Sequence, residues 1–311
     1  MAGFHASTRT PSTFVISITP FDSSERVDED SLRGHLRKLA ASRIGVYLAG
    51  SGSGEGYTLT SAEVARILQI GRDELAGKVP FRAMGVEPRS ADEMIRLARL
   101  VEDVGVEAMQ IYSLDQGHGN RPRDDEMERY YRDILEATRV SCVLSTHQSV
   151  GYFIPPELIG RLIDRYDHVI GVNVSGPDMS YLQRVIDAVA GRADVHVGGP
   201  MHALTCLALG GQGYLSSEGN LAPNLCVSVI DRYGAGDMSG CFEAYNRLMH
   251  LFTATRDMGG ITGTKAALQL LGLPGGTMRR PRLALPESMW QTVRQTMIDD
   301  VDLRQIEGLS R

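Results

Sequence analysis

The sequence predicts an α/β fold, a (β/α)8 TIM barrel with a C-terminal helical extension. Three observations carry that reading. Short apolar runs alternate with amphipathic stretches almost without a break, there are eight such runs, and residues 217–311 show no strand patterning. The runs are Phe14–Ile18, Gly45–Leu48, Phe81–Gly85, Ala108–Tyr112, Cys142–Ser145, Val169–Val174, Val195–Gly198 and Gly213–Ser216. A short apolar run bounded by turn residues is how a strand covered on both faces reads.

The intervening stretches have helical spacing. Leu32, Leu36 and Leu39 fall on one helix face, as do Val64, Ile67 and Leu68, and Leu182, Val185 and Ile186. Thr60 with Glu63 and Ser90 with Glu93 have the spacing of capping boxes, in which side chain and backbone satisfy each other's first-turn donors. Strands alternating with helices imply parallel pairing through right-handed crossovers. Eight such units favour closure into a barrel; a doubly wound open sheet is the competing fold. Four helices are expected beyond the eighth strand, at Leu225–Arg232, Met238–Thr253, Thr262–Leu271 and Pro286–Asp300. The expected organisation is a tail at 1–12, the barrel at 13–233 and a helical subdomain at 234–311.

Bulk properties bound the function. Hydrophobic content of 42% and charged content of 23% are those of an ordinary globular protein, and a net charge of −6 argues against a nucleic-acid partner, whose phosphates need a basic face. Cys142, Cys206, Cys226 and Cys241 are too widely spaced for a zinc knuckle or redox pair. Met1–Ser12 has no apolar core of a signal peptide, and no run approaches the ~18 apolar residues of a membrane span. The expected compartment is the cytoplasm.

In such a barrel the chemistry sits on the loops after the strands. His147 ends the fifth strand and His118 lies in a glycine-rich loop; histidine suits acid–base work near neutral pH. Asn173 falls on the inward phase of the sixth strand, as Val172 and Val174 suit the helix-facing side. Ser145, Ser175, Ser216 and Ser217 can add hydroxyls. The amides of Ser51, Gly52, Ser53 and Gly54, leading towards a helix, can hold a carboxylate. A metal site from Asp115, His118 and His147 is conceivable, but no tight histidine spacing supports it. The expectation is no metal and no cofactor.

The segment Leu48-Ala49-Gly50-Ser51-Gly52-Ser53-Gly54-Glu55-Gly56-Tyr57-Thr58-Leu59-Thr60 resembles the Gly-Thr-Thr-Gly-Glu…Thr-Leu segment of the dihydrodipicolinate synthase / N-acetylneuraminate lyase family. Colinear matches strengthen this: Thr19-Pro20-Phe21, Ala208–Gly213, Gly219–Pro223, Arg247–Met249 and Lys265–Leu273. The resemblance runs from about Thr13 to Asp300 and implies the barrel, a small carboxylate substrate, carboxylate binding at Ser51–Gly54, a structural Glu55 and Lys265, and a homotetramer or homodimer.

The reactive positions depart from the family. Its sixth strand ends in Gly-Ile-Lys, and that lysine forms a Schiff base with a 2-keto acid. Here Gly171-Val172-Asn173 stands there, and an amide cannot form an imine. Residue matching puts Leu144 at the family's proton-relay tyrosine and Ser149 at its carboxylate-binding arginine. The chain's lysines are Lys38, Lys78 and Lys265, none expected at the barrel mouth. The leading expectation is a lyase-type enzyme working on a small carboxylic or 2-keto acid without a Schiff base. A non-catalytic binding or regulatory protein and a metal-dependent aldolase are the alternatives.

Overall fold

The computed structural model describes residues 9–309. Eight strands in sequence order close into a parallel barrel, which excludes the open sheet. The strands are β1 Ser12–Ile16, β2 Gly45–Leu48, β3 Phe81–Ala83, β4 Ala108–Ile111, β5 Ser141–His147, β6 Val169–Ser175, β7 Asp194–Gly198 and β8 Gly213–Ser216. Every predicted run holds a strand, displaced by a few residues at its ends.

The helices between them are α1 Glu29–Ala41, α2 Ser61–Leu75, α3 Ala91–Val104, α4 Asp124–Ala137, α5 Pro156–Arg165, α6 Met179–Val189 and α7 Ala203–Ala208. Then follow α8 Pro223–Gly234, α9 Met238–Asp257 and α10 Ile261–Leu270, with further helical turns from Glu287 to Ile306. The apolar faces read from spacing are the buried ones: Leu32, Leu36 and Leu39 on α1, and Leu182 and Val185 on α6. The Thr60–Glu63 capping box forms in both directions. The Ser90–Glu93 box does not: Glu93 reaches one residue further and accepts the Arg89 N–H, leaving the Ser90 side chain without a capping bond.

The chain divides into two compact units. One is Arg82–Leu215 with the segment ending at Pro11. Its core is built from β4 to β7 and the faces of α3 to α6, and Arg9 pairs with Asp194. The other is Ser12–Phe81 with Ser216–Arg311. There α1 packs on α2, α8 packs on α9, and the turns after α10 return to the loop after β1 through the Phe21–Thr277 bridge.

Candidate active site

In the Arg82–Leu215 unit, strand register decides which side chains share a face. In-register neighbours on parallel strands point the same way, and successive residues point opposite ways. Ser145 pairs with Asn173, Asn173 with His196, and His147 with Ser175. The Asn173 Nδ2 donates to Gln110 Oε1 at 2.7 Å. Gln110 is on β4 and Asn173 on β6, with β5 between them. Side chains from alternate strands converge on the concave side of a barrel and diverge on the convex side, so this bond places both inside. Gln110, Ser145, Asn173 and His196 therefore form a buried polar layer. The Ser145 hydroxyl makes no hydrogen bond among the described residues, whereas its carbonyl accepts from Ser113 Oγ at 2.9 Å. Ser113 in turn accepts from Tyr131 on α4 at 3.2 Å.

Leu144 and Thr146 lie on the opposite phase. Thr146 Oγ1 sits 3.0 Å from Tyr181 Oη of α6 and accepts the Ile154 N–H, while Tyr181 donates to Ile154 O. This closed set of bonds pins the loop after β5. Any residue relaying protons to position 173 must share its face, and the register puts Ser145 there, not the helix-facing Leu144. The cause is a β-irregularity between Cys142 and Val143, where β6 advances two residues against one on β5. Residue matching along the sequence misses it because the shift exists only between strands.

His147 is half-buried at the end of β5. Its Nδ1 accepts the Ser149 N–H at 2.9 Å, and the Ser149 hydroxyl is 2.7 Å from the same nitrogen. In the neutral ring this leaves the proton on Nε2. Burial holds its pKa below the usual histidine value, opposed by the Glu87 carboxylate. His147 is thus a neutral N–H donor at pH 7; to accept a proton at Nε2 it must first exchange tautomers and give up the Ser149 amide. Ser175 shares its face, and its Oγ fills the space that a Cβ on Gly198 would occupy.

His118 is exposed at a loop tip, with positive φ, between Gly117 and Gly119. Arg89 pairs with Asp115, and Tyr152 donates to Leu114 O, so the base of this loop is anchored. Gly119 and Gly151 touch backbone to backbone; a Cβ on Gly151 would lie 2.6 Å from Gly119 Cα. The loops carrying His118 and His147 are therefore neighbours. Asp115, His118 and His147 do not form a metal-binding group; among the described residues there is none.

In the other unit, the loop after β2 is folded tightly. A Cβ on Gly54 would meet Gly50 backbone at 2.8 Å, and Thr19 Oγ1 donates to Gly54 O. The amides of Ser51, Gly52, Ser53 and Gly54 and the buried Ser53 hydroxyl have no acceptor or donor partner among the described residues. The N-terminus of α2 is already capped by Thr60 and Glu63, so the loop amides, not that helix end, are what an anion would meet. Glu55 is fully buried in a left-handed conformation. Its carboxylate takes Lys265 Nζ at 2.5 Å and the Arg279 N–H at 3.2 Å. Lys265 also donates to Thr19 O and Thr277 O, both at 2.8 Å, so all three ammonium protons are used.

Lys38 donates to Leu221 O, and burial lowers its pKa to about 8. Lys78 is exposed in the turn before β3. The Ser216 hydroxyl donates to Glu218 and accepts the Gly219 N–H, and Ser217 donates to the same carboxylate. Glu218, buried beside these hydroxyls, escaped the sequence reading; the Ser216-Ser217-Glu218 string was its only trace.

Residues 11–299 match the Dihydrodipicolinate synthetase family. The 4-hydroxy-tetrahydrodipicolinate synthase of Methanopyrus kandleri is 30% identical over 283 residues, covering 90% of this chain and 93% of that one. Among solved structures, dihydrodipicolinate synthase from Aquifex aeolicus superposes with a TM-score of 0.86 at 19% identity, over 94% of this chain and 98% of that one. A Bacillus anthracis dihydrodipicolinate synthase gives 0.85 at 22% identity, over 93% and 98%.

Proposed function

The chain belongs to the dihydrodipicolinate synthetase family, and from that premise we propose a lyase-type reaction on a small carboxylic or 2-keto acid that proceeds without a Schiff base. The observation carrying this reading is the buried layer in which Asn173, held by Gln110, stands beside the Ser145 hydroxyl. An amide and a hydroxyl polarise a carbonyl and stabilise the oxyanion of an enolate by hydrogen bonding, which is effective in a water-poor site. His147, after the tautomer exchange that frees Nε2 of its proton, takes the proton from the adjacent carbon, and His118 is the second candidate acid–base group. Ser51 to Gly54 supply amides for a carboxylate, and Ser175 a further hydroxyl. Aldol cleavage, hydration–dehydration and ring closure all pass through such an enolate or oxyanion.

The test is solvent exchange of the C3 protons of pyruvate in D2O, followed by proton NMR, together with borohydride treatment. We expect exchange without a reduced pyruvate adduct. A covalent adduct mapped to Lys38, Lys78 or Lys265 overturns the reading, and so does the absence of exchange across a panel of 2-keto acids, which favours the binding-protein alternative. No helix among the described residues is long and apolar enough to cross a membrane. We place the protein in the cytoplasm as a homodimer or homotetramer. Self-association is supported by the exposed Met238 and Phe242 and the half-buried Tyr245, Met249 and Phe252, which follow one another at helical spacing along α9 beside its buried row. A monomer in light scattering at micromolar concentration contradicts the assembly.

A further inference from the structure

A cavity of about 560 Å³ lies in the Ser12–Phe81 and Ser216–Arg311 unit, and its lining includes none of the residues assigned above. Its apolar wall comes from Phe21, Met278 and Leu283, and its polar rim from Ser23, Thr277, Arg282 and the Arg280–Glu25 pair. The volume is in the range of small-molecule sites. Leu283, 77% exposed, is the most exposed large apolar side chain among the described residues.

Charge accounting around this cavity leaves one cation over. Lys265 pairs with Glu55, Arg279 with Glu63 at 2.7 Å, and Arg280 with Glu25 at 2.6 Å. Arg282, the fourth cation of the group, makes no ion pair among the described residues. Its charge is felt next door: burial lowers the Lys265 pKa against the pull of Glu55, and repulsion from Arg279 and Arg282 adds to the lowering. An anion at Arg282 would balance the group, and an apolar tail would cover Leu283 and the wall beneath it. A guanidinium fork suits a carboxylate in two-point contact.

We propose that this cavity binds a small organic carboxylate with an apolar tail, its anionic end on Arg282 and its tail against Met278 and Leu283. The proposal uses none of the residues proposed for catalysis and does not depend on that reading. The test uses the full chain, with 3-phenylpropionate as probe and 3-phenylpropanamide as its neutral counterpart, in calorimetric titrations. We expect saturable binding of the acid and at least about tenfold weaker binding of the amide, a loss near 1.4 kcal/mol. Arg282→Gln, at an exposed position that leaves the fold intact, should weaken the acid about tenfold, and Leu283→Ser should weaken both probes. Circular dichroism of each variant checks the fold. No binding of the acid up to about 10 mM, or binding unchanged in Arg282→Gln, overturns the proposal; the second result would mean that the acid occupies another site and that Arg282 is only a solvated surface group.

Discussion

The chain contains two buried polar clusters of opposite character. Around Lys265 every donor has an acceptor, and the ammonium, the carboxylate of Glu55 and the loop carbonyls close on one another. Around Asn173 the backbone is equally ordered, but the Ser145 hydroxyl and the Nε2 face of His147 are not consumed by the bonds that hold them. A lysine is chemically the more reactive group, yet the buried lysine is the less available one. Availability for chemistry is set by what a group's neighbours leave unspent, not by its intrinsic nucleophilicity.

The strongest way to break this contrast is to remove one side of the closed cluster. Lys265→Met leaves the Glu55 carboxylate buried and unpaired and should cost about 3–5 kcal/mol in chemical denaturation. The double change with Glu55→Gln should recover part of it. A loss below about 1 kcal/mol would show that the ammonium is not structural.

On the open cluster, His147→Gln should slow the pyruvate exchange about a hundredfold while leaving the unfolding midpoint near wild type. The wild-type rate should rise with pH to a plateau reached below the usual histidine titration, because burial favours the neutral ring. Asn173→Lys alone should not produce pyruvate-dependent condensation. Its register neighbour is Ser145, which has no phenol, and Ser149 offers no guanidinium. Robust condensation by that single variant would show that the face of Asn173 has been misjudged.

The pH dependence of stability sharpens the comparison from a third side. Burial lowers the pKa of His35 and of His196 to about 3. Between about 3 and 6.5 the unfolded state binds more protons than the folded state, so stability rises with pH there and is fully present above 6.5. Acidification should remove up to about 1.4 kcal/mol per pH unit for each ring. His35→Gln should flatten that slope; an unchanged slope in urea titrations at several pH values would assign the acid sensitivity elsewhere. The smallest effect expected is from Thr60→Ala, which opens the α2 capping box and should cost about 1 kcal/mol.

Much of this was legible in the sequence. Gly45–Leu48 and Gly213–Ser216 appear as strands at the predicted residues because turn residues bound both apolar runs. The inward phase of Asn173 was legible too, since valines flank it on the helix side. What stayed hidden depends on partners distant in sequence. The shifted register at Cys142 and Val143 exists only between two strands, and it exchanges Leu144 for Ser145 beside Asn173. The engagement of Ser216 by Glu218 was equally invisible, because a serine after a strand reads the same whether its hydroxyl is spent or not. The pairing of Arg279 with Glu63 and of Arg280 with Glu25 joins residues more than 200 positions apart.

The glycine contact between residues 119 and 151 bears on time as well as space. With no side chain between them, neither backbone can move towards the other, and a Cβ on Gly151 would drive them apart. We therefore expect an excursion of the loop bearing His118 to disturb the turn that fixes the tautomer of His147. In hydrogen–deuterium exchange the amides of Gly119 and Gly151 should open with a common rate, and Gly151→Ala should accelerate both.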